Sequence, residues 1–436
     1  MLKVCKFGGS SLSDADAIKK AADIILKDAS RRFVVVSAPG KRNKTDEKIT
    51  DLLYRCVDEA KRGNLNESFL KIENRYREIV KGLNIDLDLD DEFKATRDKI
   101  QNDLDEDFAA SRGEYFNAKI IAKFLNFEFV DAGDIIFFND DGMFDSDKTN
   151  SVCKARLKSC KNAVIPGFYG VCNKKVKTFS RGGSDITGSI VARGVSCDIY
   201  ENWTDVNGFM TADPRIVENP KSIKYLSYNE LRELSYMGAS VLHSESIFPV
   251  RIANIPINIK NTFEPENTGT MIIPESKHED HGGTLTGIAG KKDFTVILIE
   301  KSLMNAELGF ARKVLSIIED NDVSFEHIPT GIDTMSIVVA DSELAGGKLE
   351  KILKKIKDTV EPDKVTAIDK MALIAIVGHG MRSKHGTAAK LFTCIAKAEI
   401  NIRMIDQGSS ELNIIIGVDN KDYEKCIKAV YNEFFG

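Results

Sequence analysis

The chain has 436 residues, of which 42% are hydrophobic and 29% are charged, as in ordinary globular proteins of several domains. Its formal net charge is -5, so it lacks the excess of basic residues that is typical of nucleic-acid-binding proteins. The eight cysteines form no C-x-x-C pair, so we expect reduced thiols rather than a zinc site or disulfides. There is no signal-peptide pattern and no apolar stretch of membrane-spanning length. These features predict a cytoplasmic protein that binds neither nucleic acid nor membrane.

Strand and helix patterns alternate through residues 1–263. Short apolar, β-branched runs predict strands, and segments with a period near 3.6 residues predict helices. This alternation predicts an α/β fold with a mostly parallel sheet sandwiched by helices. The predicted elements, in chain order, are a strand at Lys3–Phe7, a helix at about 13–29, a strand in 31–40, helical segments in 46–82, an acidic turn at 84–93, a helix at 111–125, a strand with its turn at 127–138, a buried strand at 162–170, a strand, glycine turn and helix at 177–195, a strand and polar loop at 197–215, and a last strand at 257–263.

We predict no metal site. The acidic segment 84–93 has aspartates spaced like the first ligands of a calcium loop, but it lacks the required glycine and the final glutamate. His278 and His281 lie in a polar linker, 274–284, with no further His or Cys nearby in the sequence. Both segments are interpreted as solvated surface.

The C-terminal part of the chain contains a repeat. Gly309 and Gly386 are 77 positions apart, and GFARKVLSIIEDNDVSFEHI aligns without gaps with GTAAKLFTCIAKAEINIRMI at this interval. Each copy has the pattern strand, glycine loop, amphipathic helix, strand, turn, strand. The repeat predicts two ferredoxin-like βαββ-type modules that pack together. The expected domains are residues 1–285, 286–370 and 371–436.

Two glycine turns connect a strand to a helix in the first domain. They are Gly8-Gly9-Ser10-Ser11, preceded by Lys6, and Gly182-Gly183-Ser184, flanked by Arg181 and Asp185. Such turns expose backbone N–H groups at a helix N-terminus, which attracts anions, although either turn alone could be ordinary N-capping. In a doubly wound sheet the two turns converge at the carboxyl ends of the strands. They could then hold one multiply charged ligand, such as a nucleoside triphosphate.

The common phosphate-binding fingerprints are absent. No G-x-x-x-x-G-K-[ST] sequence occurs, and neither do the H-R-D and D-F-G motifs of protein kinases. Gly378-His379-Gly380 resembles the start of a dinucleotide motif, but Ser383 stands where its third glycine belongs. The phosphate site must therefore be of another kind.

Several longer motifs point to one family. KFGGSS, VVSAPG, SRGE, FSRGGSD, NWTDVNGFMTADPR and GASVLHSESIFPV occur in this order. Together they resemble the aspartokinases of the amino-acid kinase family, and the two C-terminal modules resemble the ACT pair of those enzymes. The resemblance covers almost the whole chain.

The resemblance implies a monofunctional enzyme that uses ATP and Mg²⁺ to phosphorylate the side-chain carboxylate of L-aspartate to 4-phospho-L-aspartate. In the family this is the first step toward lysine, threonine and methionine. A carboxylate is already a nucleophile at neutral pH, so catalysis reduces to positioning two anions and neutralising charge. Mg²⁺ is expected to bridge the ATP phosphates with little direct protein ligation.

The candidate catalytic residues are Lys6, for the transferring phosphate, and Asp185, which is expected to orient Lys6. The alternatives are a surface lysine beside a strand end and a carboxylate favoured by a helix start. The N–H groups of Gly8, Gly9 and Ser10 are expected to support the same phosphate.

The matching motifs also imply binding residues for aspartate and the nucleotide. Glu114 suits the ammonium, Arg181 suits a carboxylate as a bidentate fork, and Thr50 matches a substrate contact. Each of the three could instead be a surface salt bridge or cap. Met210 stands where a tyrosine is frequent and Ser240 where a lysine is frequent, so we expect phosphate binding to differ there. The nucleotide residues implied are Thr204, Asp205, Met210, Arg215, Ser240 and Val241.

The ACT modules imply regulation and assembly. The family binds an end-product amino acid there, so lysine or threonine is the expected effector, and a homodimer or homotetramer is expected to form through these modules. A glycine before a helix exposes N–H groups to a carboxylate. Two of the candidate contacts, Met304 and Phe310, fit equally well as core residues. The candidate effector contacts are Met304, Gly309, Phe310, Phe325 and Glu326.

Two alternatives remain at this point. The first is a related kinase that acts on glutamate, carbamate or a nucleotide; Glu114 together with Arg181 favours an α-amino acid with a second carboxylate. The second is a non-catalytic ACT sensor of amino acids; the presence of Lys6 and Asp185 argues against it.

Overall fold

The computed structural model of the protein describes residues 1–180, 182–239, 241–242, 246–275 and 283–436. Arg181, Ser240, His278 and His281 lie outside the described residues. Within the described ranges, every helix is too short or too polar to span a membrane. The chain divides into two compact units. Unit 1 comprises Met1–Phe209, Ser222–Leu231 and Ser240–His278, and unit 2 comprises Met210–Lys221, Arg232–Ala239 and Glu279–Gly436.

Unit 1 is built from alternating strands and helices. Helix starts are capped where the sequence supplies an aspartate: Asp14 and Asp105 accept the backbone N–H groups of Ala17 and Phe108, each at 2.9 Å. The strands are β1 (Lys3–Phe7), β2 (Arg31–Val36), β3 (Glu128–Phe129), β4 (Ala163–Pro166), β5 (Tyr169–Cys172), β6 (Lys175–Thr178), β7 (Ile199–Thr204), β8 (Tyr225–Ser227), β9 (Ile257–Asn261) and β10 (Thr270–Ile273). The helices are α1 (Ala15–Leu26), α2 (Ile49–Lys61), α3 (Glu67–Leu83), α4 (Asp90–Asp103), α5 (Glu106–Leu125), α6 (Ser146–Lys158), α7 (Gly183–Gly194), α8 (Tyr228–Tyr236), whose last turns belong to unit 2, and α9 (Phe248–Ile252).

The main sheet has the strand order β3-β4-β2-β1-β7-β9-β10-β8. Every adjacent pair is parallel except β9 with β10, which is antiparallel. The prediction of a mostly parallel sheet is therefore confirmed. The prediction that 257–263 forms the last strand is wrong, because β10 follows it. The run Thr270–Ile273 is too short to show a period of its own, and its pairing with β9 and β8 makes it a strand.

Helices cover both faces of this sheet. Cys5 and Phe7 of β1 belong to a core that also contains apolar side chains of α1 to α5. Because side chains alternate along a strand, Lys6 points to the opposite face, where α7 contacts β1, β2 and β7. The central strand β1 thus presents one lysine to α7.

A buried charge cluster lies on the same sheet face as Cys5. The Glu201 carboxylate accepts hydrogen bonds from Arg31 Nε at 2.8 Å and from Trp203 Nε1 at 2.9 Å, and pairs with Lys3 Nζ at 2.9 Å. Burial alone would raise the pKa of the Glu201 carboxyl, but Arg31 and Lys3 outweigh it and lower that pKa. The cluster ties β1, β2 and β7 together.

Three local predictions for unit 1 need refinement. The segment 84–93, predicted as an acidic turn, enters helix α4 at Asp90. The helical segment 46–82 forms two helices, α2 and α3, because residues 62–66 interrupt it. The strand predicted within 177–195 does not join the main sheet: β6 pairs antiparallel with β5 in a separate hairpin.

Unit 2 contains the repeat. Its strands form one five-stranded sheet in the order β12-β11-β13-β15-β14, and all pairs are antiparallel. Its elements are β11 (Gly287–Glu300), α10 (Phe310–Glu319), β12 (Thr334–Ala340), α11 (Lys348–Val360), β13 (Lys364–Val377), α12 (Thr387–Lys397), β14 (Met404–Asp406), β15 (Asn413–Asp419) and α13 (Tyr423–Phe435).

The two copies of the repeat pair through their first strands, β11 and β13. Gly290 lies opposite Ile374 and Ile297 lies opposite Ala367. At the repeat interval of 77 positions, Gly290 corresponds to Ala367 and Ile297 to Ile374, so each residue pairs with the counterpart of the other. This pairing is what two copies of one unit related by a twofold axis produce. Each copy also ends in a helix, α11 or α13, that the predicted βαββ pattern does not include. The prediction of two strands after the first helix holds for the second copy, with β14 and β15, but is wrong for the first, which forms β12 there and only isolated bridges at His327 and Thr330.

Candidate active site

The carboxyl ends of β1, β2 and β7 meet at one edge of the sheet in unit 1. Gly8, directly after β1, donates its N–H to Trp203 O of β7 at 3.0 Å. On the other side, Gly40 N donates to Gly9 O at 2.8 Å. The first glycine turn is therefore held between strand β7 and the loop that follows β2, as expected for the ligand-binding edge of such a sheet.

Glycine is required where these loops cross. A Cβ atom on Gly40 would lie 2.6 Å from the carbonyl carbon of Gly9 and 2.8 Å from Ser10 N. Both distances are shorter than a side chain tolerates against backbone. The N–H groups of Gly9 and Ser10 open a short 3-10 helix at Gly9–Leu12, so they have no acceptor within that helix.

The structure corrects one part of the sequence prediction for this turn. The N–H of Gly8 was expected to support a phosphate, but it already continues the hydrogen-bond ladder to Trp203. Of the three N–H groups predicted to support a phosphate, those of Gly9 and Ser10 therefore remain as candidates. Gly8 lies beside Lys6 instead: a Cβ atom added there would be 3.6 Å from Lys6 Nζ.

The second glycine turn begins helix α7. Gly182 has a φ of 58° and caps the helix, and a Cβ atom on Gly183 would lie 2.2 Å from the ring of Phe168. Phe168 itself has a φ of 79°, which is rare for a bulky residue and typical of strained functional sites. This turn meets the loop that follows β4, since a Cβ atom on Gly167 would clash with Ser184 at 2.7 Å.

Lys6 and Asp185 join the two turns. Lys6 Nζ lies 2.6 Å from Asp185 Oδ1, and Lys6 is only 8% exposed, so the alternative of a surface lysine is wrong. The same Oδ1 accepts a hydrogen bond from Asn202 Nδ2 at 2.8 Å, and Asn202 lies opposite Lys6 in the β1–β7 register. Tyr200, also on β7, donates its hydroxyl to Asp185 O at 3.2 Å. Asp185 thus contacts Lys6, Asn202 and Tyr200, and these contacts hold the Lys6–Asp185 pair in place.

Glu114 is a buried carboxyl on α5. It is 5% exposed, and its Oε2 has no hydrogen-bond partner among the described residues. Burial raises its pKa to about 8, although a hydrogen bond from the backbone of Ala38 and the charge of Arg112 act in the opposite direction. A carboxylate with a free buried oxygen suits an incoming cation, such as an ammonium group.

Thr50 lies in the first turn of α2, which packs against α5 near Glu114. The position of Gly113 shows this packing: a Cβ atom there would contact Ile49 at 3.4 Å and Ala38 at 2.8 Å. Thr50 itself is partly exposed. The structure therefore places Thr50, Ala38 and Glu114 in one neighbourhood.

The predicted nucleotide residues are distributed over both units. Thr204 is the last residue of β7 and Asp205 follows it, and Thr204 Oγ1 donates to Asp205 Oδ1 at 3.2 Å. Val241 also belongs to unit 1. Met210 and Arg215 belong to unit 2, where the guanidinium of Arg215 is highly exposed and pairs with Asp213 at 2.6 Å. Ser240 and Arg181 lie outside the described residues, so the structure does not test either prediction.

Sequence reasoning missed three residues here. Asn202 could have been found from strand alternation, because it faces the same side as Lys6. Asn117, one turn after Glu114 on α5, donates to Ser37 O at 2.7 Å and follows from the i, i+3 spacing. The positive φ of Phe168 has no sequence signal.

The predicted effector residues lie in the first repeat of unit 2. Met304 and Phe310 belong to its hydrophobic core, which is the simpler of the two interpretations offered for them. Gly309, with a φ of 78°, caps α10, and Phe325 is 44% exposed. Glu326 donates its backbone N–H to Val338 O at 2.8 Å, and its side chain helps burial to raise the pKa of Tyr236.

Comparisons with known proteins agree with this geometry. A family model described as the amino acid kinase family matches residues 1–261, and an ACT domain model matches residues 374–434. The first match covers more than half of the chain and defines the class as an amino acid kinase. Aspartokinase 3 of Bacillus subtilis is 38% identical over 451 residues, which cover 100% of this chain and 99% of that protein. The chain belongs to the aspartokinase family, and the resemblance seen in its motifs is confirmed.

Solved structures show the same relationship. The crystal structure of Clostridium acetobutylicum aspartate kinase is 54% identical, with a TM-score of 0.96, and the match covers 99% of this chain and 100% of that one. Escherichia coli aspartokinase III, solved in complex with aspartate and ADP, shares the fold at 24% identity and a TM-score of 0.77, over 100% of both chains.

Proposed function

We propose that this protein transfers the γ-phosphoryl group of ATP to the side-chain carboxylate of L-aspartate, giving 4-phospho-L-aspartate and ADP. Membership of the aspartokinase family supports this reaction. The observation that carries it is the buried Lys6–Asp185 pair at the meeting point of two glycine turns. The same unit holds a buried glutamate, Glu114, whose Oε2 has no hydrogen-bond partner in the part of the chain that the structure describes.

The chemistry follows from the residues present. A carboxylate oxygen of aspartate attacks the γ-phosphorus, the bond from that phosphorus to the β,γ-bridging oxygen breaks, and ADP leaves with the electron pair. The nucleophile is already ionised, so no general base is needed. Lys6, with the N–H groups of Gly9 and Ser10, neutralises charge on the moving phosphoryl group. Asp185 and Asn202 hold the lysine in place.

Substrate selection is assigned to a small set of groups. Glu114 accepts a hydrogen bond from the α-ammonium of aspartate, and Thr50 contacts the substrate from the start of α2. Arg181 binds the substrate carboxylate as a fork, on the strength of its motif alone. Glutamate, which is one methylene longer, would move its side-chain carboxylate away from Lys6.

Nucleotide binding is assigned to the first glycine turn and to the loops after β7. Thr204, Asp205 and Val241 are proposed contacts in unit 1, and Met210, Arg215 and Ser240 are assigned from the motifs. Among the described residues, no cluster of three His, Cys, Asp or Glu side chains could hold a metal ion. Mg²⁺ commonly binds through substrate phosphates and water with few protein ligands, and it would neutralise phosphate charge here.

We also propose regulation by an end-product amino acid, lysine or threonine, through the ACT modules. The proposed domains are a catalytic domain at 1–285 and ACT modules at 286–370 and 371–436. The protein is proposed to assemble into a homodimer or homotetramer through the ACT modules. Gly309, Phe325 and Glu326 are the favoured effector contacts. The reaction would then be the first step toward lysine, threonine and methionine.

The experiment that tests the reaction traps the acyl phosphate. The protein is incubated with ATP, Mg²⁺, hydroxylamine and one of L-aspartate, L-glutamate or carbamate, and the hydroxamate is identified by mass spectrometry and NMR. We expect the β-hydroxamate of aspartate only, with one ADP per hydroxamate. A product from another acid, or none with any of them, would contradict the proposal, and the second result would favour a sensor.

A further inference from the structure

The loop of residues 40–48 connects two parts of the candidate site. At its start, Gly40 donates its N–H to Gly9 O in the first glycine turn, at 2.8 Å. At its end, the chain enters α2, whose first turn carries Thr50. A displacement of this loop would therefore move the phosphate-facing turn, the substrate threonine or both.

Arg75, on helix α3, contacts this loop at two points. Its Nη2 donates to Gly40 O at 2.8 Å, and its Nη1 donates to Asp46 Oδ2 at 2.9 Å. Arg75 is only 5% exposed, although arginine is rarely buried without a partner to justify it. One buried guanidinium thus bridges the start and the later part of the loop.

Asp46 is the centre of the polar contacts within the loop. Its carboxylate accepts the backbone N–H of Arg42 at 2.9 Å and Arg42 Nε at 3.0 Å, in addition to Arg75. Hydrogen bonds from Arg42, followed by those from Arg75, hold the pKa of the Asp46 carboxyl well below its usual range. Arg42 Nη1 also donates to Glu78 on α3, at 3.0 Å.

Polar contacts, rather than close apolar packing, hold the loop against α3. Two cavities of about 220 Å³ and 260 Å³ lie beside it, and Arg42, Arg75 and Glu78 line both. Loose packing on this side leaves the charged contacts as the main restraint on the loop. Removing them would free it while leaving the core of α1 to α5 in place.

We propose that Arg75 is a positioning residue for phosphoryl transfer. Through Gly40 it fixes the turn that carries Gly9, and through Asp46 it fixes the loop that leads to Thr50. The inference rests on the proposed function, because it assigns Arg75 a role in that reaction. Arg75 is assigned no contact with either substrate; it acts through Gly40 O and the carboxylate of Asp46.

Four variants test the assignment: Arg75→Gln, Arg75→Lys, Asp46→Asn and, as a control, Arg77→Gln. Arg77 lies on the same helix but is half exposed and pairs with Glu73 and Asp90. The KM for aspartate, the KM for ATP and kcat are measured by hydroxamate formation, and folding is checked by thermal unfolding.

We expect Arg75→Gln to raise both KM values at least about tenfold, because both contacts of Arg75 to the loop are lost and the loop is displaced. A small displacement in a well-aligned site can cost this much. Asp46→Asn keeps the contact to Gly40 and is expected to raise mainly the KM for aspartate. Arg75→Lys, which can reach one acceptor at a time, should recover part of the loss. Arg77→Gln should stay within about twofold of wild type.

A folded Arg75→Gln variant with unchanged KM values would overturn the proposal, and so would equal losses in Arg77→Gln. If Arg75→Gln fails to fold, Asp46→Asn decides: a selective rise in the KM for aspartate supports the assignment, and unchanged kinetics overturn it. A wild-type protein that forms no hydroxamate refutes the proposed function instead. In that case the role of Arg75 in the reaction falls with it.

Discussion

Glu114 provides the strongest pH-dependent prediction. Its pKa is raised to about 8 because the carboxyl is buried, so most of it is protonated in the empty enzyme at neutral pH. An ammonium group needs the ionised form. Each pH unit below the pKa therefore costs about 1.4 kcal/mol of aspartate binding, or a tenfold rise in KM. We expect the KM for aspartate to fall steeply from about pH 6 to about pH 8 and then to level off.

Calorimetry in buffers of different ionisation enthalpy measures the linked proton. Binding of aspartate at pH 7 should release close to one proton, because Glu114 must ionise and the substrate ammonium is already charged. Glu114→Gln, which is neutral at every pH, should abolish both the proton release and the steep KM profile. At about pH 8 it should also weaken aspartate binding by roughly 2 kcal/mol, the value of a charge-assisted hydrogen bond.

The contribution of Glu114 to stability should fall as pH rises, whereas aspartate binding should strengthen. The folded pKa of Glu114 lies above the ordinary value of 4.5, so between pH 4.5 and about pH 8 the folded state binds more protons than the unfolded state. This contribution to the free energy of unfolding is present at low pH and is lost as pH rises toward about 8. Glu114→Gln should therefore be more stable than wild type at about pH 8. A flat KM profile with no proton release would refute the reasoning, whatever the stability.

Three further substitutions follow from the geometry. Lys6→Met should lower kcat by about a thousandfold or more, because it removes the buried charge at the transferring phosphate, while the ACT modules still bind effector by calorimetry. Gly40→Ala should cost about 1–3 kcal/mol of stability and raise the KM for ATP, because its Cβ would clash with Gly9 at 2.6 Å. Glu201→Gln should lower the urea-unfolding free energy by about 3 kcal/mol with little effect on KM, because it leaves Arg31 without its buried partner.

Each of these has a result that contradicts it. Turnover retained by Lys6→Met would show that another cation serves the phosphate. A Gly40→Ala variant as stable and active as wild type would mean that the two loops can separate freely. A Glu201→Gln variant of unchanged stability would show that the cluster around Arg31 contributes nothing net, as happens for some buried ion pairs.

The sequence predicted the parts of the site that carry local signals. The glycine turns mark strand ends, and parallel strands bring such ends to one edge, so Lys6 and Asp185 could be paired before any coordinates. Their contact at 2.6 Å shows that this inference places both side chains correctly. The roles assigned to them remain predictions.

Other parts depend on contacts that a single sequence does not encode locally. The carbonyl of Trp203 takes the N–H of Gly8, which no motif reveals. Arg75 reaches Gly40 across 35 positions of sequence. The motif NWTDVNGFMTADPR is predicted as the end of a strand and a polar loop, and the boundary between the two units falls within it, after Phe209. Sequence continuity was a poor guide to which unit holds Met210 and Arg215.

The most direct test of the account follows the oxygen atoms of the substrate. L-aspartate labelled with ¹⁸O only in its side-chain carboxylate is turned over with ATP, and the acyl phosphate is observed by ³¹P NMR. We expect an isotope-shifted phosphorus resonance, because a carboxylate oxygen becomes the bridge to phosphorus, and we expect this product to be lost in Lys6→Met. An unshifted product, or a shifted product formed equally well by that variant, would contradict it.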